Sequence, residues 1–412
     1  MSTRYRVLLL LALAELLGMS LWFSANAVSG EFQQLWGLSQ SQAGWLTTVV
    51  QLGFVAGTAT AAVLNLADVL PSRTYFAGSA LCGAVANAGL VLAPSYGVAL
   101  LLRFGTGFFL AGVYPPGMKM AATWFEGGRG LAIGTVVGAL TVGKAAPYLM
   151  RAWIPGGIAP LVLSVSFGAV LAAILVLLGY RDGPHAFIRR PFSWGLVGSV
   201  LRNRRMRLVT GGYLGHMWEL YAYWTWIPAF LAASAAAHIA QTGDVLPSST
   251  VSAIAFAAVS VGGLGCVWGG WMADRIGYAR LVTRAMAISG ACALLIGGSF
   301  GMSLWIVAPL TLIWGFFIIA DSAQFSAMVT ETVPPHAVGT ALTLQTSLGF
   351  LLTMVTIQFV PMLADAGGWR WAFVVLTFGP AFGIWSIAKL STNQHRRSRN
   401  LNRRRPTRWQ AR

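Results

Sequence analysis

The sequence predicts an all-α integral membrane protein: twelve transmembrane helices in two six-helix pseudo-symmetric bundles, with both termini cytoplasmic. Three observations lead there: a composition that water cannot solvate, twelve apolar runs of spanning length, and basic residues gathered on one side of those runs. Of 412 residues, 56% are hydrophobic and 9% charged, and the mean hydropathy is +0.68. A soluble domain carries roughly a quarter of its residues charged. Runs of about 20 apolar residues cross the hydrocarbon layer as helices, which satisfy their own backbone where lipid offers no partner.

The runs are 7–28, 44–64, 74–94, 97–120, 130–150, 158–180, 208–231, 250–272, 281–299, 303–325, 337–360 and 370–389. They divide the chain into an N-terminal bundle (1–180), a basic cytoplasmic linker (181–207), a C-terminal bundle (208–390) and a basic tail (391–412) expected to be disordered and cytoplasmic. Placing both termini inside puts 24 of the 28 Lys and Arg residues in the cytoplasm, with Arg151 and Arg370 outside and Arg103 and Lys144 within spans; this is the bias that orients polytopic proteins. The first run imitates a cleavable signal, with Arg4 and Arg6 ahead of it and Ala25-Asn26-Ala27 behind, but Glu15 interrupts its apolar core, so it is expected to stay as the first span.

A net charge of +17 could suggest nucleic acid, yet the basic residues lie between and after spans and not on one soluble face, so no nucleic-acid partner is expected. Cys82, Cys266 and Cys292 all sit inside apolar runs, as small hydrophobes do and a disulfide framework does not. The histidines show no metal-ligand spacing, and neither metal nor cofactor is expected.

The two halves repeat. Glu15 and Trp22 recur as Glu219 and Trp226, Asp68 recurs as Asp274, and Gly107-Phe108-Phe109 recurs as Gly315-Phe316-Phe317. Nearly constant offsets of this kind mark two related bundles, the architecture of many carriers. The loop Gly270-Trp271-Met272-Ala273-Asp274-Arg275-Ile276-Gly277, with Arg280 close behind, resembles the loop signature of the major facilitator superfamily, with Met272 in place of Leu. Its first-half copy, around Asp68 and Arg73, is degraded: Leu64, Val69 and Pro71 stand where Gly, Arg and Gly are usual. Arg103 resembles the family's fourth-span arginine, and the run Gly112 to Gly117 is similar to bacterial nitrate and cyanate-type permeases. The resemblance implies a monomeric secondary transporter in a bacterial inner membrane, with Asp68, Arg73, Asp274, Arg275, Gly277 and Arg280 in gating loops. It implies no enzyme.

Six ionisable residues fall inside spans: Glu15, Arg103, Lys144, His216, Glu219 and Asp321. Such groups are costly in a membrane and face partners or wet cavities. In the resembled fold the first, fourth, seventh and tenth spans line the central cavity, and five of the six lie on them. Helical spacing groups Glu15 with Trp22, Arg103 with Tyr114, and Glu219 with Tyr223 and Trp226. Arg103 and Lys144 are expected to hold an anionic group, the first as a planar fork and the second as a point charge, with Trp22, Tyr114, Tyr223 and Trp226 lining the binding site. Glu15, Glu219 or Asp321 is expected to take a proton, because burial favours a neutral carboxyl, and His216 could relay it. Structural ion pairing, for example of Glu15 with Lys144, competes with this reading. Gly53-x-x-x-Gly57, Gly134-x-x-x-Gly138 and Gly265-x-x-x-Gly269 are expected to let helices approach closely.

Two motifs are decoys. The run Gly138 to Lys144 nearly spells a phosphate-binding loop but lacks the following Ser or Thr and lies inside a span. The run Gly297 to Gly301 matches a nucleophile elbow without the strand-to-helix turn that elbow needs. The expected function is proton-coupled uptake of a small organic or inorganic anion, the alternative a proton-coupled exporter of drugs or metabolites.

Overall fold

The computed structural model describes residues 2–125, 129–154, 156–185, 193–244 and 246–403; the side chains of 67, 68, 129, 130 and 391–403 fall outside the description. Among the described residues, eleven helices are long and apolar enough to cross a membrane. They are α1 (Thr3–Ala27), α2 (Gln40–Val63), α3 (Ser72–Leu92), α4 (Tyr96–Ala122), α5 (Leu131–Trp153), α6 (Ile158–Gly179), α8 (Ser248–Ile276), α9 (Tyr278–Ser299), α10 (Leu304–Thr330), α11 (Pro335–Gly367) and α12 (Trp369–Leu390). Between α6 and α8 runs α7 (Arg204–Thr242), a 39-residue helix that contains the seventh expected span. Its His216, Glu219 and run of Tyr and Trp residues lower its hydropathy, and it is not among the eleven.

Two boundaries differ from expectation. The linker contains a helix, Trp194–Arg202, ahead of α7. The last helix continues to Arg403, where an irregular tail was expected from 391, and residues 404–412 lie outside the description. A helix already nucleated in α12 needs no new nucleus to continue, and Gln394, Leu401 and the arginines of this stretch are good helix formers.

Helices α1–α6 pack as one bundle and α7–α12 as another; the largest contacts between the bundles are α5 with α8 and α2 with α11. The repeat seen in the sequence is a repeat of backbone contacts. A Cβ on Gly107 of α4 would overlap the Val50 carbonyl oxygen of α2, and one on Gly315 of α10 would overlap the Ala258 carbonyl of α8, both partners shifted by 208. Gly57 against the Phe108 carbonyl and Gly265 against the Phe316 carbonyl repeat in the same way. Lipid tails do not drive helices together hydrophobically, so such close approaches supply much of the association through van der Waals contact. In the other glycine pair, Gly138 meets Gly263 across the bundles, but Gly134 faces open space and packs nothing.

The helices that cross the centre are broken. α1 tightens into a 3₁₀ turn at Ser20–Phe23, α4 breaks between Leu110 and Tyr114, and α10 breaks at Asp321. The signature loop turns on Gly277, whose φ of 85° is a left-handed conformation that suits glycine. In the first half Asn65 also has a positive φ, at 50°, but is left-handed helical, and a short helix Leu66–Val69 follows before α3.

Gly107→Ala is therefore expected to destabilise the protein by about 1–3 kcal/mol, the usual cost of overpacking. Gly134→Ala is expected to leave stability unchanged or raise it by up to about 1 kcal/mol, because alanine is the better helix former. Thermal unfolding of the purified protein in detergent separates the two outcomes.

Candidate functional site

All six intramembrane ionisable residues are buried. The structure sorts them by where their partners come from.

Arg103 serves the backbone. Its Nε donates to the Leu46 carbonyl at 3.1 Å and its Nη1 to the Leu21 carbonyl at 3.0 Å, while Nη2 donates to the Trp22 carbonyl. Nη1 also reaches Asn87 Oδ1 at 3.1 Å and Ser24 Oγ at 3.3 Å. Leu21 and Trp22 lie in the 3₁₀ turn of α1, where the i+4 pairing of an α-helix is interrupted, and the planar guanidinium meets their carbonyls. All three nitrogens of Arg103, expected to form an anion-holding fork, are engaged within the N-terminal bundle.

Glu219 is held inside its own bundle by Ser289 Oγ at 2.8 Å and Trp314 Nε1 at 2.6 Å. His216 pairs with Asp321 and not with Glu219, its Nδ1 lying 2.9 Å from Asp321 Oδ1. Tyr223 also turns inward, donating to the Thr311 carbonyl at 2.7 Å and packing at a tilt against Trp314 at 4.6 Å between centroids. His216, Glu219 and Tyr223, expected to line the cavity, thus meet partners in their own bundle, while Trp226 of the same face does line the cavity. Tyr114 opens the second segment of α4 and is half-buried.

Lys144 is different. Its Nζ donates to Tyr221 Oη at 2.5 Å and lies 4.1, 4.7 and 5.0 Å from the ring centroids of Trp22, Tyr221 and Trp224. Tyr221 and Trp224 belong to the opposite bundle, so this aromatic cage spans the seam. Phe54 and Phe350 continue the layer, at 5.1 and 5.9 Å from the Trp22 ring. Glu15 feels the Lys144 charge but does not pair with it, and among the described residues neither carboxylate oxygen has a hydrogen-bond partner. Sequence reasoning missed Tyr221 and Trp224; the signal available was Lys144 itself, a buried ammonium for which the first half offers few acceptors.

On the side of this layer away from both chain termini lies a cavity of about 530 Å³ between the bundles, lined by Asn26, Tyr148 and Arg151 from one and Thr225, Trp226 and Trp369 from the other. Tyr148 donates to the Trp224 carbonyl at 3.4 Å, and Asn26 Nδ2 to the Thr225 carbonyl at 3.4 Å. Trp226 Nε1 donates to the Ile357 carbonyl at 2.7 Å, and its ring passes so close to Gly44 that a Cβ there would come within 2.8 Å. Gln358 of α11 bonds Ser41 and Thr48 of α2, at 2.8 and 3.0 Å. Arg151 at the rim pairs with Glu31.

Of the loop residues, Arg73, Asp274 and Arg280 are exposed, and Arg275 stacks on Trp271 at 3.4 Å. The side chain of Asp68 lies outside the described residues.

The sequence matches the Major Facilitator Superfamily over residues 8–357 and again over 248–411. Similar solved structures include a bacterial homologue of the human lysosomal transporter Spinster in its inward-facing, unoccupied conformation, with TM-score 0.73 and 15% identity over 95% of this chain and 99% of that one. Its occupied form gives 0.70 and 16% over 95% and 98%. A mutant of the nucleoside transporter NupG gives 0.68 and 15% over 93% and 99%. No curated protein matches the sequence.

Arg103→Lys is expected to fail structurally, since a point charge cannot span three separate carbonyls, and each buried acceptor left unpaired costs about 1–3 kcal/mol. The readout is the melting temperature and monodisperse yield. Wild-type stability combined with weakened solute binding would return Arg103 to the binding site.

Proposed function

The chain belongs to the Major Facilitator Superfamily and is a transporter, and we propose that it moves a small solute by alternating access, coupled to protons. The observation that carries this reading is the seam itself: a cavity between two bundles, closed on one side by an aromatic layer that holds one cation from across the seam, with one unpartnered acid nearby.

In this reading α7 also crosses the membrane, which makes twelve spans, both termini are cytoplasmic, and the cavity opens to the outside of a bacterial inner membrane. The protein works as a monomer. The solute enters past Arg151, Tyr148 and Trp226 and carries an acidic group. Lys144, freed from Tyr221, meets that group as a point charge. Glu15 takes the proton. It has no hydrogen bond to lose and sits in the field of Lys144, so its protonation and the arrival of an anion change the local charge in compensating ways. Glu219, hydrogen-bonded within one bundle, and the His216–Asp321 pair, which lies in the same bundle, are structural supports here. Asp274 is exposed, and among the described residues it has no ion-pair partner, leaving it available to the cytoplasmic loops when the bundles rock.

Export of aromatic drugs or metabolites is favoured by one observation, the run of rings from Phe54 through Trp22, Tyr221 and Phe350 at the centre. Internal pH recorded in proteoliposomes discriminates the two. An acid added outside is expected to acidify the lumen, and Glu15→Gln is expected to reduce the rate at least tenfold while leaving the melting temperature near that of wild type. Lumenal pH unmoved by every acid, but responding to amphiphilic cations, would replace uptake with export.

A further inference from the structure

The polar groups buried without partners near the cage describe a ligand. Among the described residues these include the indole N–H groups of Trp22 and Trp224 and both carboxylate oxygens of Glu15. Folded proteins leave few buried polar atoms unpaired, and each one asks what else supplies its partner. Two donors here lack an acceptor and belong to rings that already enclose an ammonium group. The third ring belongs to Tyr221, whose hydroxyl accepts from that ammonium. Three rings within 5.0 Å of one nitrogen form the arrangement that recognises organic ammonium ions. In this conformation Lys144 fills it.

We propose that the Trp22–Tyr221–Trp224 cage is an ammonium site for the solute, with Lys144 as its tethered occupant, so that the transported compound is amphoteric. This rests on the reading that Lys144 leaves the cage to hold the solute's acidic group. An acid alone would draw Lys144 away and leave the rings around nothing. A solute carrying an amine as well refills the cage, while its acidic group takes Lys144 and the two orphaned indole donors. Its charges cancel, and the proton on Glu15 remains the net charge moved. A cavity of about 530 Å³ lies within the range that admits small organic solutes.

The experiment titrates the full-length purified protein, by intrinsic tryptophan fluorescence, with matched triplets on linear and aromatic scaffolds. One triplet is 6-aminohexanoate, hexanoate and hexylamine; another is phenylalanine, 3-phenylpropanoate and phenethylamine. The amphoteric member of at least one triplet is expected to bind ten or more times tighter than its acid. Trp224→Leu is expected to bring that ratio near one, and Trp224→Phe, which keeps a ring, to preserve it. Acids that bind within threefold of their amphoteric partners in every triplet overturn the proposal and leave acid transport standing. Amines that bind while no acid-bearing member does overturn both. A ratio unchanged by Trp224→Leu also overturns it, by placing the amine elsewhere.

Discussion

The central geometry depends on one constraint: in a membrane, a backbone carbonyl released from its helix must be met by another part of the protein. The 3₁₀ turn at Ser20–Phe23 releases such carbonyls, and Arg103 meets those of Leu21 and Trp22 together with that of Leu46. Among the described residues no carboxylate pairs with its positive charge; carbonyl dipoles, Asn87 and Ser24 solvate it instead. One side chain on α4 thereby ties together α1, α2 and α3. The position of Trp22 follows, since its carbonyl is fixed by Arg103 while its ring lies under Lys144. The floor of the cavity is thus set by a residue that does not touch the cavity.

The halves share their backbone contacts but not their polar centres. Gly107 on Val50 and Gly315 on Ala258 preserve the same approach. At the position equivalent to Arg103, 208 residues on, stands Thr311, whose carbonyl accepts from Tyr223. Glu15 and its counterpart Glu219 diverge in the same way: one is unpartnered, the other held by Ser289 and Trp314. Small-residue seams tolerate little change, because a single methyl overlaps backbone. Polar groups can be exchanged wherever a neighbouring side chain replaces a lost partner, so the centres are free to specialise. The loops differ too: Gly277 ends its helix with positive φ and an extended ψ, whereas Asn65 is left-handed helical.

Much of the fold was legible because hydrocarbon imposes a coarse rule of apolar length, and the glycine offsets announced the repeat. The reach of α7 and of the last helix was not, since polar helical ends obey propensity and not hydropathy. Burial of the six ionisable residues was legible too. The face each one shows was not. On an amphipathic surface helix, charge marks the solvent side, but α7 is buried on nearly every side, and its charged face turned out to be the one its own bundle satisfies. Tyr221 and Trp224 carried no charge to draw attention, and only the placement of Lys144 against them identifies the seam.

A carrier that rocks as two bodies is biased only by interactions that differ between its states. Arg103 with its carbonyls, Glu219 with Trp314, and His216 with Asp321 each lie within one bundle, so rigid-body motion leaves them intact and they cannot sense it. Lys144 with Tyr221, Tyr148 with Trp224, and Gln358 with Ser41 and Thr48 cross the seam and must break when it opens. Among these only Lys144 carries charge, and charge is what a proton or an ionic solute can alter at a distance. Had Glu15 and Lys144 formed a close pair within the first bundle, they would have neutralised each other and moved together. Held apart, with the lysine's hydrogen bond lent by the opposite bundle, they are the groups through which the proposed mechanism makes the closed state sensitive to what binds there.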